Sequence, residues 1–191
     1  MDIDWAAQLG EQLDWHWNEQ LRPRLAGLTD EEYFWEPVPG CWSVRPRGKA
    51  VTSSPAGGGA WVLDWVFPPP DPSPVTTIAW RLSHILSTVL EIRYRNHFSS
   101  EPVDFMSFVD AYEYPGSAGE ALDRLDDVYA HWRDGVRGLT ATGLARPCGP
   151  SEGPFAEYPM AALILHINRE VIHHGAEISL LRDLYVNGAA Q

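Results

Sequence analysis

The residues best equipped for chemistry in this 191-residue chain lie between Leu163 and Leu184, in LILHINREVIHHGAEISLLRDL. His166, Glu170, His173, His174 and Glu177 recur at spacings of three and four, so a helix carries them on one side. At about 100° per residue, Met160, Ile164, Ile167, Val171, Ile178 and Tyr185 form a neighbouring apolar sector. His174 falls at the edge of that sector and Glu170 about 40° further round, with His166 and His173 further out. A carboxylate and an imidazole four residues apart, both leaning toward a core, is what one helix contributes to a metal site inside a bundle. The same spacing also describes an amphipathic helix whose polar border pairs His with Glu by ordinary hydrogen bonds. A third ligand has to come from another element.

The natural source is a helix predicted over about Thr76–His97, TTIAWRLSHILSTVLEIRYRNH. Ile78, Leu82, Ile85, Val89 and Ile92 make its buried stripe, and His84 lies on the flank of that stripe. A core-border histidine satisfied by a hydrogen bond would occupy the same place. Two further long helices complete the set. Ala6, Leu9, Leu13, Trp17 and Leu21 have helical spacing from Asp4 to about Leu21, where Pro23 ends or kinks the run. Ser117 and Glu120 have capping-box spacing and open a helix to about Leu139 that buries Ala121, Leu125, Val128 and Trp132. Thr29 and Glu32 mark one short helix in the same way. Pro159 suits the first turn of the last helix.

Four long helices argue an all-α fold, a four-helix bundle in one domain over residues 1–191. Its connections are long. Residues 36–74 form an irregular insertion with a glycine run at 57–59 and prolines at 68, 69, 70, 72 and 74. Within it, Trp61–Phe67 fits either a short strand or an extended flap. Residues 99–116 are a second irregular connection, with Phe105, Met106 and Phe108 expected against the bundle. His16 and His131 read as border residues, and His97 as a charge near the end of its helix.

Composition narrows the function. With 26 acidic and 14 basic residues the formal net charge is −12, which repels phosphate backbones and anionic lipid. Nucleic acid and membrane partners are therefore not expected. No apolar run approaches the ~20 residues that span a bilayer, and the acidic start MDIDWAAQLGEQ is unlike a signal peptide, so the expected location is cytoplasmic. The only cysteines are Cys41 and Cys148, which excludes a disulfide framework and a cysteine-based zinc site. Nine tryptophans promise large packing units; Trp42, Trp61 and Trp80 are candidates for a pocket wall.

One histidine on the second helix, then Glu-x-x-x-His on the fourth, in a helical chain of this length, resembles the DinB-like/YfiT metalloenzyme superfamily. That superfamily includes mycothiol-dependent maleylpyruvate isomerases and bacillithiol S-transferases. Its general pattern is three histidines; the maleylpyruvate isomerase branch uses His, Glu and His. The stretch HHGAEI is similar to the HHRGQI common in the family. The resemblance implies His84, Glu170 and His174 as metal ligands, with His166 as substitute. The insertion at 36–74 departs from the minimal family pattern.

Two imidazoles and a carboxylate suit Zn2+, and also Ni2+, Fe2+ or Mn2+. The resemblance implies a small-molecule electrophile and a low-molecular-weight, mycothiol-like thiol as cosubstrate, hence a thiol S-transferase or thiol-dependent isomerase. Arg81 and Arg169 are then candidates to bind a substrate carboxylate, or simply surface ion-pair partners. Two other classes stay open. One is a metal-dependent hydrolase with Glu177 or His173 carrying the proton; the other is a non-catalytic bundle that binds a metal or small ligand. Apolar residues on the first and third helices leave a face that a homodimer could use.

Overall fold

A computed structural model describes residues 3–189. The chain is mostly helical, and its long helices form four rods. The first runs from α1 (Trp5–His16) through a π-helical turn (Trp17–Leu21) into α2 (Arg22–Arg24). Asp4 caps it by accepting from the Ala7 N–H at 3.1 Å. Pro23 marks the end of this rod as expected: it sits in α2, two residues after the widened Trp17–Leu21 segment, and the helix ends at Arg24. A short helix, α3 (Asp30–Tyr33), follows behind its Thr29 cap.

The second rod is α4 (Ile78–His84), a π-helical stretch (Ile85–Glu91) and α5 (Ile92–Phe98). Its widening has a local cause. The Ser87 hydroxyl donates to the Ser83 carbonyl at 2.7 Å and the Thr88 hydroxyl to the His84 carbonyl at 3.3 Å. Both compete with backbone N–H groups for those carbonyls, and such back-bonding bends helices. The third rod is α7 (Ala118–Arg137), capped by Ser117, which accepts from the Glu120 N–H at 3.2 Å. Two short helices flank it: α6 (Phe105–Ala111) lies before it and α8 (Ala141–Ala145) after it. After a 3-10 turn at Pro150–Phe155 comes the fourth rod, α9 (Met160–Leu184).

The first rod touches α7 and α9, and the second touches α7 and α9 from the other side. Between them lies a continuous apolar cluster that includes Leu21, Leu82, Leu86, Leu125, Trp132, Ile164 and Val171. Each such side chain contributes on the order of 1.5–3 kcal/mol by leaving water. No helix among the described residues is long and apolar enough to cross a membrane.

Three features differ from the expectation of an all-helical chain with loose connections. Residues 61–63 are a strand: β1 (Val44–Pro46) pairs antiparallel with β2 (Trp61–Leu63), Val44 opposite Leu63. The 99–116 connection contains α6, of which Phe108 is buried while Phe105 and Met106 are exposed. The insertion is also tightly fastened. Asp64, with no solvent exposure, accepts from the Ser43 and Val51 N–H groups and from Arg45 Nε, at 3.0, 2.8 and 2.7 Å. Its carbonyl accepts from the Trp80 indole N–H at 2.8 Å, which ties the insertion to α4. On its other side, Gly58 N–H donates to the Tyr112 carbonyl at 2.9 Å. A Cβ at Gly58 would lie 2.8 Å from the Ala111 carbonyl oxygen, so this approach requires glycine. The glycine run is thus a docking surface rather than a flexible linker.

Candidate metal centre

His84 ends α4, and Glu170 and His174 lie one turn apart on α9. The contact between these rods brings the three together: one donor atom from each lies within 4.8 Å of the others. Nε2 of His174 is 3.4 Å from Glu170 Oε2, and Nε2 of His84 is 4.0 Å from the same oxygen. The imidazoles meet edge to face with centroids 4.8 Å apart.

Which nitrogens are free follows from what the others do. His174 Nδ1 lies 2.6 Å from Glu177 Oε2, and a carboxylate only accepts, so Nδ1 carries the proton. The Nε2 lone pair of His174 is left facing Glu170. His84 Nδ1 lies 2.8 Å from Thr88 Oγ1. The same hydroxyl reaches the His84 carbonyl at 3.3 Å, so Thr88 engages Nδ1 and leaves Nε2 as the ring nitrogen that faces Glu170. Fixing the far nitrogen of each imidazole is what outer partners do for metal-ligating histidines.

The charges of the three groups are coupled. The Glu170 carboxyl is pulled down to about 2, chiefly by the His84 imidazole, against opposing burial. Burial lowers the His174 pKa, although its bond to Glu177 works the other way. The site therefore offers two imidazoles and one ionised carboxylate. Three half-buried or buried groups with ligand atoms within 4.8 Å of one another form a donor set that fits a divalent cation.

The other candidates fall elsewhere. Arg81 Nε bonds Glu177 at 3.0 Å, while its guanidinium carbon lies 5.3 Å from the Trp80 ring. Arg81 therefore braces the carboxylate behind His174 and has its charge already matched. Glu177 stands on the Nδ1 side of His174, away from the convergence point, so it positions the imidazole. His173 is 65% exposed and 3.6 Å from Glu177; these two also group with His174, but on its far side. Arg169, 70% exposed, donates to His166 Nδ1 at 2.8 Å. His166 lies beside Glu170, 3.6 Å away, yet outside the converging trio.

Thr88 is the residue that sequence reading passes over. Its only signal is a position four after His84, within hydrogen-bond reach on a helix. His97 differs from its expected role at a helix end. Its side chain is 1% exposed and lies 2.9 Å from Glu152, which Arg93 also meets at 3.3 Å. Of the three tryptophans considered for a pocket wall, Trp80 stacks on His84 with centroids 5.5 Å apart. Trp61 instead stacks on Phe34 and Trp42 tilts against Trp80, and neither lines the cavity beside the centre.

No curated protein and no solved structure matches this chain. A family model does: that of the DinB superfamily matches residues 55–178, a span that contains His84, Glu170 and His174 and leaves α1 and α2 outside. By that match over well more than half its length, the chain belongs to the DinB superfamily.

Proposed function

We propose that this protein is a divalent-metal-dependent enzyme, a thiol S-transferase or thiol-dependent isomerase in a DinB/YfiT-like four-helix bundle forming one domain. The observation that carries the reading is the pair of imidazole Nε2 atoms turned toward Glu170, each held there by a second partner, Thr88 or Glu177. A polar border that was merely structural would close on Glu170 with short bonds, as the Glu152 cluster does. The His–Glu–His order matches the maleylpyruvate isomerase branch, which supports a low-molecular-weight thiol of the mycothiol type and a small electrophile as reactants.

His84, Glu170 and His174 would hold the cation, with Zn2+ first and Ni2+, Fe2+ or Mn2+ as alternatives. Bound with three protein ligands, such an ion supplies Lewis acidity that lowers the pKa of a coordinated thiol. The chain's own contribution is to hold the geometry. Glu177 keeps the proton on His174 Nδ1, Arg81 keeps Glu177 in place, and Thr88 keeps His84 turned inward. Trp80 backs the His84 ring and excludes water from one face. Hydrolysis with Glu177 as proton carrier is not favoured, since that carboxylate is spent on Arg81 and His174.

The test has two stages. Purified protein is expected to hold about one equivalent of a divalent metal, and His84→Ala/Glu170→Ala/His174→Ala to hold none. Metal retained by the triple variant would remove the assignment. Incubation with mycothiol and a maleyl-type or haloaromatic electrophile, alongside simple ester hydrolysis, then separates thiol transfer from hydrolysis. Turnover of esters alone would overturn the transferase reading.

A further inference from the structure

A cavity of about 360 Å3 opens beside the candidate centre, with His84 and Glu170 on its wall. An engineered cavity of about 150 Å3 accommodates one benzene ring, so this volume suits roughly two fused rings or a ring with a short chain. The rest of the wall is mainly apolar and comes from three parts of the chain. Ala56, Leu63 and Trp65 belong to the insertion; Trp80 and Val109 belong to α4 and α6. Arg93 is the one guanidinium there; Glu152 at 3.3 Å matches its charge and the Thr88 carbonyl accepts from it at 2.8 Å, with only the buried Nε left unpaired. Charged groups available to a ligand are therefore confined to the end that holds His84, His166 and Glu170.

The wall is preformed. Asp64 holds the insertion to Trp80, and the glycine run holds it to the end of α6, so Ala56 and Trp65 are fixed from both sides. Ala56 is also bonded to Leu63 in both directions, at 2.9 Å each. A pocket whose wall is fixed before binding loses little freedom when a ligand enters.

We infer that the insertion at residues 36–74 is the specificity element of this protein: it closes a pocket for an uncharged, aromatic body of about two rings, whose reactive end lies at His84 and Glu170. The inference deepens the proposed function by naming the substrate class, and rests on that reading only for the role of the reactive end.

The experiment uses the full-length, metal-free protein and 2-naphthol as probe, with 2-naphthalenesulfonate as the charged partner of equal ring size, followed by calorimetry. 2-Naphthol is expected to bind at least tenfold more tightly than the sulfonate. Ala56→Phe fills the cavity from the insertion side and should weaken 2-naphthol at least tenfold. Val109→Trp fills it from α6 and serves if the first variant does not fold. Co2+ titration of the same variants, read by its visible absorption, should be unchanged. Failure of 2-naphthol to bind the parent, preference for the sulfonate, or undiminished binding to a folded filled variant overturns the inference. Naphthol binding without Co2+ binding would defeat the metal reading and leave the pocket standing. Co2+ binding without naphthol binding would do the reverse.

Discussion

Two clusters of histidine and glutamate share the second rod, and they are opposites. One joins His84, Glu170 and His174; the other joins His97, Arg93 and Glu152. In the second, Glu152 is nearly buried, its two oxygens are taken by an imidazole and a guanidinium, and it pins the Pro150–Phe155 turn to α5. Both carboxylate oxygens are thereby engaged, although Arg93 Nε stays unpaired. In the first, no arginine closes the carboxylate at short range, and two imidazole Nε2 atoms face it at 3.4 and 4.0 Å, longer than the bonds of the second cluster. Residue types do not separate the two. How tightly each carboxylate is closed does.

Breaking the closed cluster should have the larger effect on stability. Glu152→Gln leaves Arg93 without its counter-charge in a largely buried setting, which costs about 3–5 kcal/mol. Urea denaturation at pH 7 measures it, and Co2+ affinity should stay as it was. The same carboxylate gives a pH signature. Burial pushes its pKa up, but the bond from His97 and the charge of Arg93 outweigh this, so it titrates below the ordinary 4.5. With the folded value depressed, its contribution is complete above the unfolded value and vanishes as pH falls through the folded one. Parent stability should therefore drop more steeply below about pH 4.5 than that of Glu152→Gln. Parallel profiles from pH 7 to 3 would show that the clasp is not electrostatic.

Breaking the open cluster should do the reverse. Glu170→Gln removes a donor that no close ion pair requires, so urea midpoints should move little. Co2+ affinity should fall at least about 100-fold, equivalent to roughly 2.7 kcal/mol. A variant that loses stability and keeps its metal affinity would make the two clusters alike, both structural.

How far this contrast is legible in the sequence depends on range. The apolar periodicity of the four rods is strong, and Ile164, Ile167, Val171 and Ile178 are all fully buried as that periodicity requires. The meeting of His84 with Glu170 and His174 follows, because facing stripes on two packed rods bring their flanks together. The closed cluster is not legible: His97 and Glu152 are 55 residues apart, and an irregular turn carries one of them. The helix α6 is short, and its exposed Phe105 and Met106 blur the periodicity that would mark it. The fastening of the insertion depends on Asp64 being buried among donors from four separate positions, which no local pattern encodes.

Smaller effects sharpen the comparison, because they act on the aim of the donors and leave the donors in place. Glu177→Gln keeps a side chain that can still accept from His174 Nδ1, but removes the charge that Arg81 balances. Metal affinity should fall about tenfold, the lower end for outer partners of metal-bound histidines. Thr88→Val is finer still. It conserves the branched shape of a half-buried side chain and deletes one hydroxyl, so the Ile85–Glu91 ladder loses a competitor for the His84 carbonyl. Imidazole Nδ1 of His84 is freed, and its ring can present either nitrogen to Glu170. Co2+ affinity should drop by several-fold up to about tenfold, with Thr88→Ser restoring it. Recovery by serine identifies the hydroxyl as the device that aims His84. If valine and serine behave alike, packing against Trp80 alone aims the ring, and the open cluster owes its geometry to the insertion's anchor.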